Sequence, residues 1–253
     1  MSRAESLGAS YLFHITDLLQ RIQAEERRPV SEAALWLAYQ ITDDRLVHIF
    51  GPGGHSNLAS QEVFFRAGGL MHFSAILDEG AMLAGGALRS MAIEPTPKCG
   101  RIVIENAALG PGDLLILVNA YGMNTALIDA ALAARNLAVK TIGVSSRRHA
   151  EDTTADHPAR HPSGASLHDV VDLHIDTKVP IGDDVVELPG VSERTGAVST
   201  FANAYTLNWV VQCTIAELNY RGTEPPMWRT GNAPGGEANS RSIDRFMGRV
   251  RAL

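Results

Sequence analysis

The sequence predicts an α/β protein: a doubly wound parallel β-sheet flanked by helices, with a helical segment ahead of it. Three observations lead there. Short continuous apolar runs alternate with helix-periodic stretches, as expected of strands buried on both faces. Val47–Phe50 breaks into Gly51-Pro52-Gly53-Gly54-His55-Ser56-Asn57, and Leu114–Val118 breaks into Asn119-Ala120-Tyr121-Gly122-Met123-Asn124-Thr125, each followed by a helix pattern. Strand–loop–helix units of this length join parallel strands by crossovers. The chain reads as one domain, 1–253, with N-terminal helices over 1–45, the α/β core over 46–221 and a C-terminal arm over 222–253.

Taken in order, residues 2–26 put Leu7, Tyr11, Leu12, Ile15, Leu18, Leu19 and Ile22 on one helical stripe. Pro29 is expected to end that helix and Ser31 to cap a second over Glu32–Gln40. With no sheet beside it yet, the first helix packs back on the domain or against a partner subunit. The strand 46–50 leads to a helix from about Asn57 to Ala67, closed by Gly68-Gly69, and then to a second apolar run over Met71–Leu77. Residues 81–100 are irregular, with a short helix around Ala84–Met91, and Arg101–Asn106 reads as a short strand or edge piece. Gly110-Pro111-Gly112-Asp113 is a turn. After the 114–118 strand an alanine-rich helix runs to about Asn136, and Val139–Val144 is another buried strand ending at Ser145-Ser146. The last long helix spans Ser199–Tyr220, apolar on several faces, which suits burial in the core or in a dimer interface. The arm over 222–236 is rich in Gly and Pro yet holds Trp228 and Asn232. It either reaches a neighbouring site or lies on the surface.

Of 253 residues, 45% are apolar and 20% charged, and the formal net charge is −6. That balance argues against nucleic acid or an anionic membrane as the main partner, so any bound anion must be held by local geometry. Cys99 and Cys213 make no disulfide framework. No signal-peptide region and no membrane-spanning run stand out, and a cytoplasmic location is expected.

The first glycine loop is built to hold a small anion. Glycines allow close backbone approach, Ser56 and Asn57 are good N-cap residues, and the unpaired N–H groups opening a helix attract phosphate or carboxylate. A tight connection with no ligand has the same signature. A dinucleotide fingerprint fails because Ser56 stands where G-x-G-x-x-G needs its third glycine, although Asp78 and Glu79 follow the next run. In parallel sheets ligands sit beyond the carboxyl ends of strands, where the chain order reverses. Three strand ends, Gly53–Asn57, Asn119–Thr125 and Ser145-Ser146, would converge on one polar crevice there. The histidines at 149, 157 and 161 are irregularly spaced around Pro158 and Pro162, so they read as a flexible loop with no required metal.

With these residues in view, the chain resembles the SIS (sugar isomerase) domain family, in a bacterial subgroup of phosphosugar isomerases whose substrate is uncertain. The two loops carry the likeness, along with Arg160-His161-Pro162-Ser163-Gly164, Gly182-Asp183, Ser199-Thr200, and the tail Glu224-Pro225-Pro226-Met227-Trp228…Asn232-Ala233-Pro234-Gly235-Gly236. The resemblance implies a flavodoxin-like three-layer sandwich and a homodimer or homotetramer with sites near the subunit boundary. It implies a sugar or sugar-phosphate ligand; no cofactor and, from the charge balance, no nucleic acid or membrane partner is expected.

The implied activity is aldose–ketose isomerisation by proton transfer through an enediol. Glu62, on the helix after the first loop, matches a glutamate that related lyases use as base. Apolar neighbours Val63, Phe64 and Phe65 would bury it and raise its pKa. His55 and His161 would assist. Gly53, Gly54, Ser56, Asn57, Asn119, Tyr121, Gly122, Asn124, Thr125 and Ser145 would bind substrate. Two alternatives share the site: a lyase or etherase using the same glutamate, and a sugar-phosphate-binding module without turnover. One departure bears on the ligand. Asn119 and Tyr121 stand where the family pattern has serines, which makes a phosphate less secure and leaves an unphosphorylated sugar open.

Overall fold

The computed structural model describes residues 2–232 and 234–253. Five parallel strands form the sheet in the order β2-β1-β3-β4-β5. They are β1 (Val47–Phe50), β2 (Phe73–Ala75), β3 (Leu114–Val118), β4 (Lys140–Ser145) and β5 (Leu173–Asp176). The chain runs from β1 outward to β2, then crosses back so that β3 pairs with β1 on its other side, Phe50 opposite Leu117. The order therefore reverses between β1 and β3. β3 is apolar throughout because Leu114, Ile116 and Val118 point into one core while Leu115 and Leu117 point into the other.

One face is covered by α2 (Arg27–Thr42), α3 (Ser56–Val63) and α9 (Ser199–Tyr220). The other is covered by α5 (Cys99–Asn106), α6 (Thr125–Asn136) and the short α8 (Leu167–Val170). α1 (Arg3–Glu25) packs Leu18 and Ile22 against Val179, Val198 and Ala202, while Leu12 and Phe13 remain exposed.

Several expectations are corrected. Pro29 does not end a helix. α1 stops at Glu25 and α2 begins at Arg27, so Pro29 falls in the first turn of α2, where a missing N–H costs nothing. Ser31 lies inside α2 and donates its hydroxyl back to the Arg27 carbonyl. Residues 101–106 are helix, not strand. Their β-branched side chains suggested a strand, but Gly100, Val103, Ile104 and Ala107 recur at helical spacing and face α6. α3 ends at Val63, short of Ala67. β5 and a small antiparallel hairpin, β6 (Asp184–Val186) with β7 (Thr195–Ala197), carried no readable strand signal.

The stretch read as a flexible loop begins as α7 (Arg147–Asp152), and Arg160 then fastens it. That guanidinium donates to the carbonyls of Ala150, Thr153, Thr154 and Gly164. The arm folds onto its own chain. Gly68 N donates to the Trp228 carbonyl at 2.8 Å and Trp228 N to the Gly69 carbonyl at 2.9 Å. Phe246 of α10 (Asn239–Phe246) then packs edge-on to His72 and against Trp228. Ala233 of the tail lies outside the described residues.

Candidate functional site

The two glycine loops leave neighbouring strand tips and are tied together. Asn119 donates its amide to the Pro52 carbonyl and the Ser56 hydroxyl, both at 3.1 Å. Its Oδ1 accepts the backbone N–H of Tyr121 at 2.9 Å and of Gly122 at 3.0 Å. Asn119 therefore fills the second loop's amides from within, and a phosphate would have to compete with it. Asn57 braces the first loop by donating to the carbonyls of Gly53 and Gly54, and it accepts from Gln61. Ser56 and Asn57 are the first helical residues of α3 rather than caps. His55 holds the cap position without a capping bond. Thr125 opens α6 behind Asn124. Gly122 has φ of +72°, and a Cβ there would press on the Ser145 hydroxyl, which bonds His174 Nε2 at 2.9 Å.

Tyr121 packs against α7. Its ring stacks on His149 with centroids 4.2 Å apart, and burial raises its phenol pKa with help from Asp183. His161 is held from both sides, by Ser163 Oγ at 2.7 Å and by Asp129 Oδ1 of α6 at 3.3 Å. Its place is beside α6, not in the cleft of Glu62. No three or more His, Cys, Asp or Glu side chains converge as a metal site among the described residues.

Glu62 and His55 line one cleft of about 250 Å³ between α3 and α9, with Gln61, Thr200 and Asn203. Val63 is buried as expected, but the Glu62 carboxylate is met by polar groups. Its Oε1 accepts from Asn208 Nδ2 at 3.1 Å and faces Arg66 at 3.4 Å, while Phe65 points outward. A larger cavity, about 540 Å³, opens at the opposite end of the sheet around Arg135, Thr141 and Asp172. It lies at the amino ends of β4 and β5, away from the strand tips where parallel sheets bind ligands.

One carboxylate had no sequence signal. Glu94, just past α4 (Ala87–Ile93), enters the crevice from the irregular segment. Its Oε2 accepts from Asn124 Nδ2 at 2.8 Å, and a Cβ added at Gly53 would stand 2.8 Å from its Oε1. Burial raises its pKa despite bonds from Asn124 and the Gly54 N–H. Only the contact between a distant loop and two glycines reveals it.

Fold and loops together define a three-layer α/β protein with polar strand tips at the reversal of its sheet. Residues 10–146 match the SIS domain family. UPF0309 protein GK1441 of Geobacillus kaustophilus is 32% identical over 244 residues, covering 96% of this chain and 95% of that one. A UPF0309 protein of Streptomyces griseus is 33% identical over 236 residues, 92% of each chain. The chain belongs to the SIS domain family, among the UPF0309 proteins. Among solved structures, a phosphoheptose isomerase from Neisseria gonorrhoeae superposes with a TM-score of 0.56 at 16% identity, over 84% of this chain and 99% of that one. The Vibrio vulnificus NanR protein complexed with ManNAc-6P gives 0.54 at 12% identity, over 96% and 72%. Both share the fold.

Proposed function

We propose that the protein isomerises a small sugar, a sugar phosphate by the leading reading, moving a proton between adjacent carbons through an enediol. The observation that carries this is the shared cleft of Glu62 and His55 beside the first glycine loop. A carboxylate there can take the proton next to a carbonyl, and an exposed imidazole beside it can bond the sugar's oxygen. Asn208 orients Glu62 from α9, and Arg66 shares the same oxygen, so Oε2 is bonded to neither. The phosphoheptose isomerase of the same fold supports the reading by analogy. Glu62→Gln is expected to lower kcat by ~10²-fold or more while leaving ligand affinity nearly unchanged. Unaltered turnover in that variant would remove Glu62 as the base. A module that only binds sugar would show ligand stabilisation and no turnover in either form.

A second reading, an unphosphorylated sugar, is favoured by Asn119, whose side chain already takes the Tyr121 and Gly122 amides. A thermal-shift comparison of sugar phosphates with their parent sugars separates the two. The ligand that the native state holds must raise Tm.

A further inference from the structure

We propose that Glu94 is a second catalytic residue of this crevice, passing protons to and from the sugar's oxygens while Glu62 serves its carbon. The proposal rests on the isomerase reading above. Glu94 is pinned at both ends between the two loops. Its backbone carbonyl accepts from Ala126 N at 2.9 Å, and its carboxylate accepts from Asn124 Nδ2 at 2.8 Å. The Gly54 N–H reaches the same carboxylate. Gly53, with φ of +112°, leaves the space its Oε1 uses.

Asn124 stands at the cap of α6 yet makes no capping bond. Its amide is turned to Glu94 instead, and its own Oδ1 is buried without a partner among the described residues, at 7% residue exposure. An unpaired buried acceptor is costly, and a ligand hydroxyl at this spot would relieve it. The groups bonded to the carboxylate are amides, and among the described residues no lysine or arginine pairs with it to hold it ionised. Burial raises its pKa, so it keeps a proton closer to neutral pH than an exposed glutamate. Gly53, whose backbone packs against the Glu94 carboxylate, belongs to the same first loop as His55, which lines the cleft of Glu62.

The proton account closes. Glu62 takes the proton from the carbon beside the carbonyl, and that C–H pair becomes the C=C of the enediol. The carbonyl π pair moves to oxygen, which takes the proton of Glu94. In the return step the Glu94 carboxylate removes the proton of the neighbouring hydroxyl, whose carbon becomes the new carbonyl. The C=C pair then recovers the proton from Glu62, and both carboxyl groups end as they began.

The test uses pentose 5-, hexose 6- and heptose 7-phosphates, aldose and ketose, in D₂O with the wild type, Glu94→Gln, Glu94→Asp and Glu62→Gln. Glu94→Gln is expected to cut kcat by ~10²-fold or more with KM within about threefold, and to remove the alkaline limb of kcat/KM. Glu94→Asp should recover part of the rate, while Glu62→Gln should stop deuterium entering at carbon. In the wild type the Gly54 amide resonance should titrate with Glu94, and that titration should vanish in a folded Glu94→Gln. A Glu94→Gln enzyme with the wild-type rate and pH profile overturns the role of Glu94 and leaves the isomerase reading standing. So does a Gly54 amide blind to pH. A wild type inert toward every sugar phosphate, exchange included, removes the isomerase reading and this proposal together.

Discussion

At the scale of single residues, the side chains that matter most here are amides and a carboxylate held by bonds that spacing does not announce. Asn119 was expected to meet substrate, and its side chain ties the first loop to the second. Ser145 was expected at the crevice too, and it is buried against His174. Burial pushes the His174 pKa down to about 3, so the folded protein holds this imidazole neutral. The unfolded chain protonates it below about 6.5. Stability from this residue is therefore complete above that pH and is lost as pH falls from there toward 3. Between pH 7.5 and pH 5 the wild type should lose about 2 kcal/mol more than His174→Gln, measured by urea unfolding at each pH. Equal losses would mean that His174 is charged in the fold.

Elements show where local pattern and packing part company. The long periodic stretches read well: α9 spans Ser199–Tyr220 as expected, and α6 ends at Asn136. α5 was misread because Ile102, Val103 and Ile104 favour a strand locally. Its close approach to α6 overrides that preference. A Cβ at Gly100 would fall well inside contact distance of the Ala126 carbonyl. Gly100→Ala should therefore cost about 1–3 kcal/mol of stability, seen as a lower urea midpoint at unchanged slope. An unchanged midpoint would show that the two helices separate freely. Glu94 depends on this region, since α5 and α6 fix the frame from which Asn124 reaches it. The place of the first loop was legible because glycines at the end of an apolar run mark the turn from strand to helix. Glu94 was not, because the irregular segment has no period to place it.

For the whole molecule, the reversal of strand order between β1 and β3 brings the two loops to adjacent strand tips and gives the crevice its location. Leu12 and Phe13 of α1 are 63% and 67% exposed, an apolar surface in search of cover. We expect a dimer or tetramer, with light scattering giving twice or four times the 27.2 kDa chain mass. Leu12→Glu with Phe13→Glu should shift that mass toward the monomer, and a monomeric wild type would rule the assembly out. No helix among the described residues is long and apolar enough to cross a membrane.

What the sequence determined by itself was the alternation of strands and helices, the parallel sheet and the two loops, because apolar period and glycine placement are local properties. The tertiary structure alone decided which polar groups satisfy one another. It paired Asn119 with the Tyr121 amide and His161 with Asp129, and brought Glu94 from a distant segment to Asn124. Hydrogen-bond partners are chosen by proximity in space, and a buried polar group takes whichever partner the packing leaves within reach.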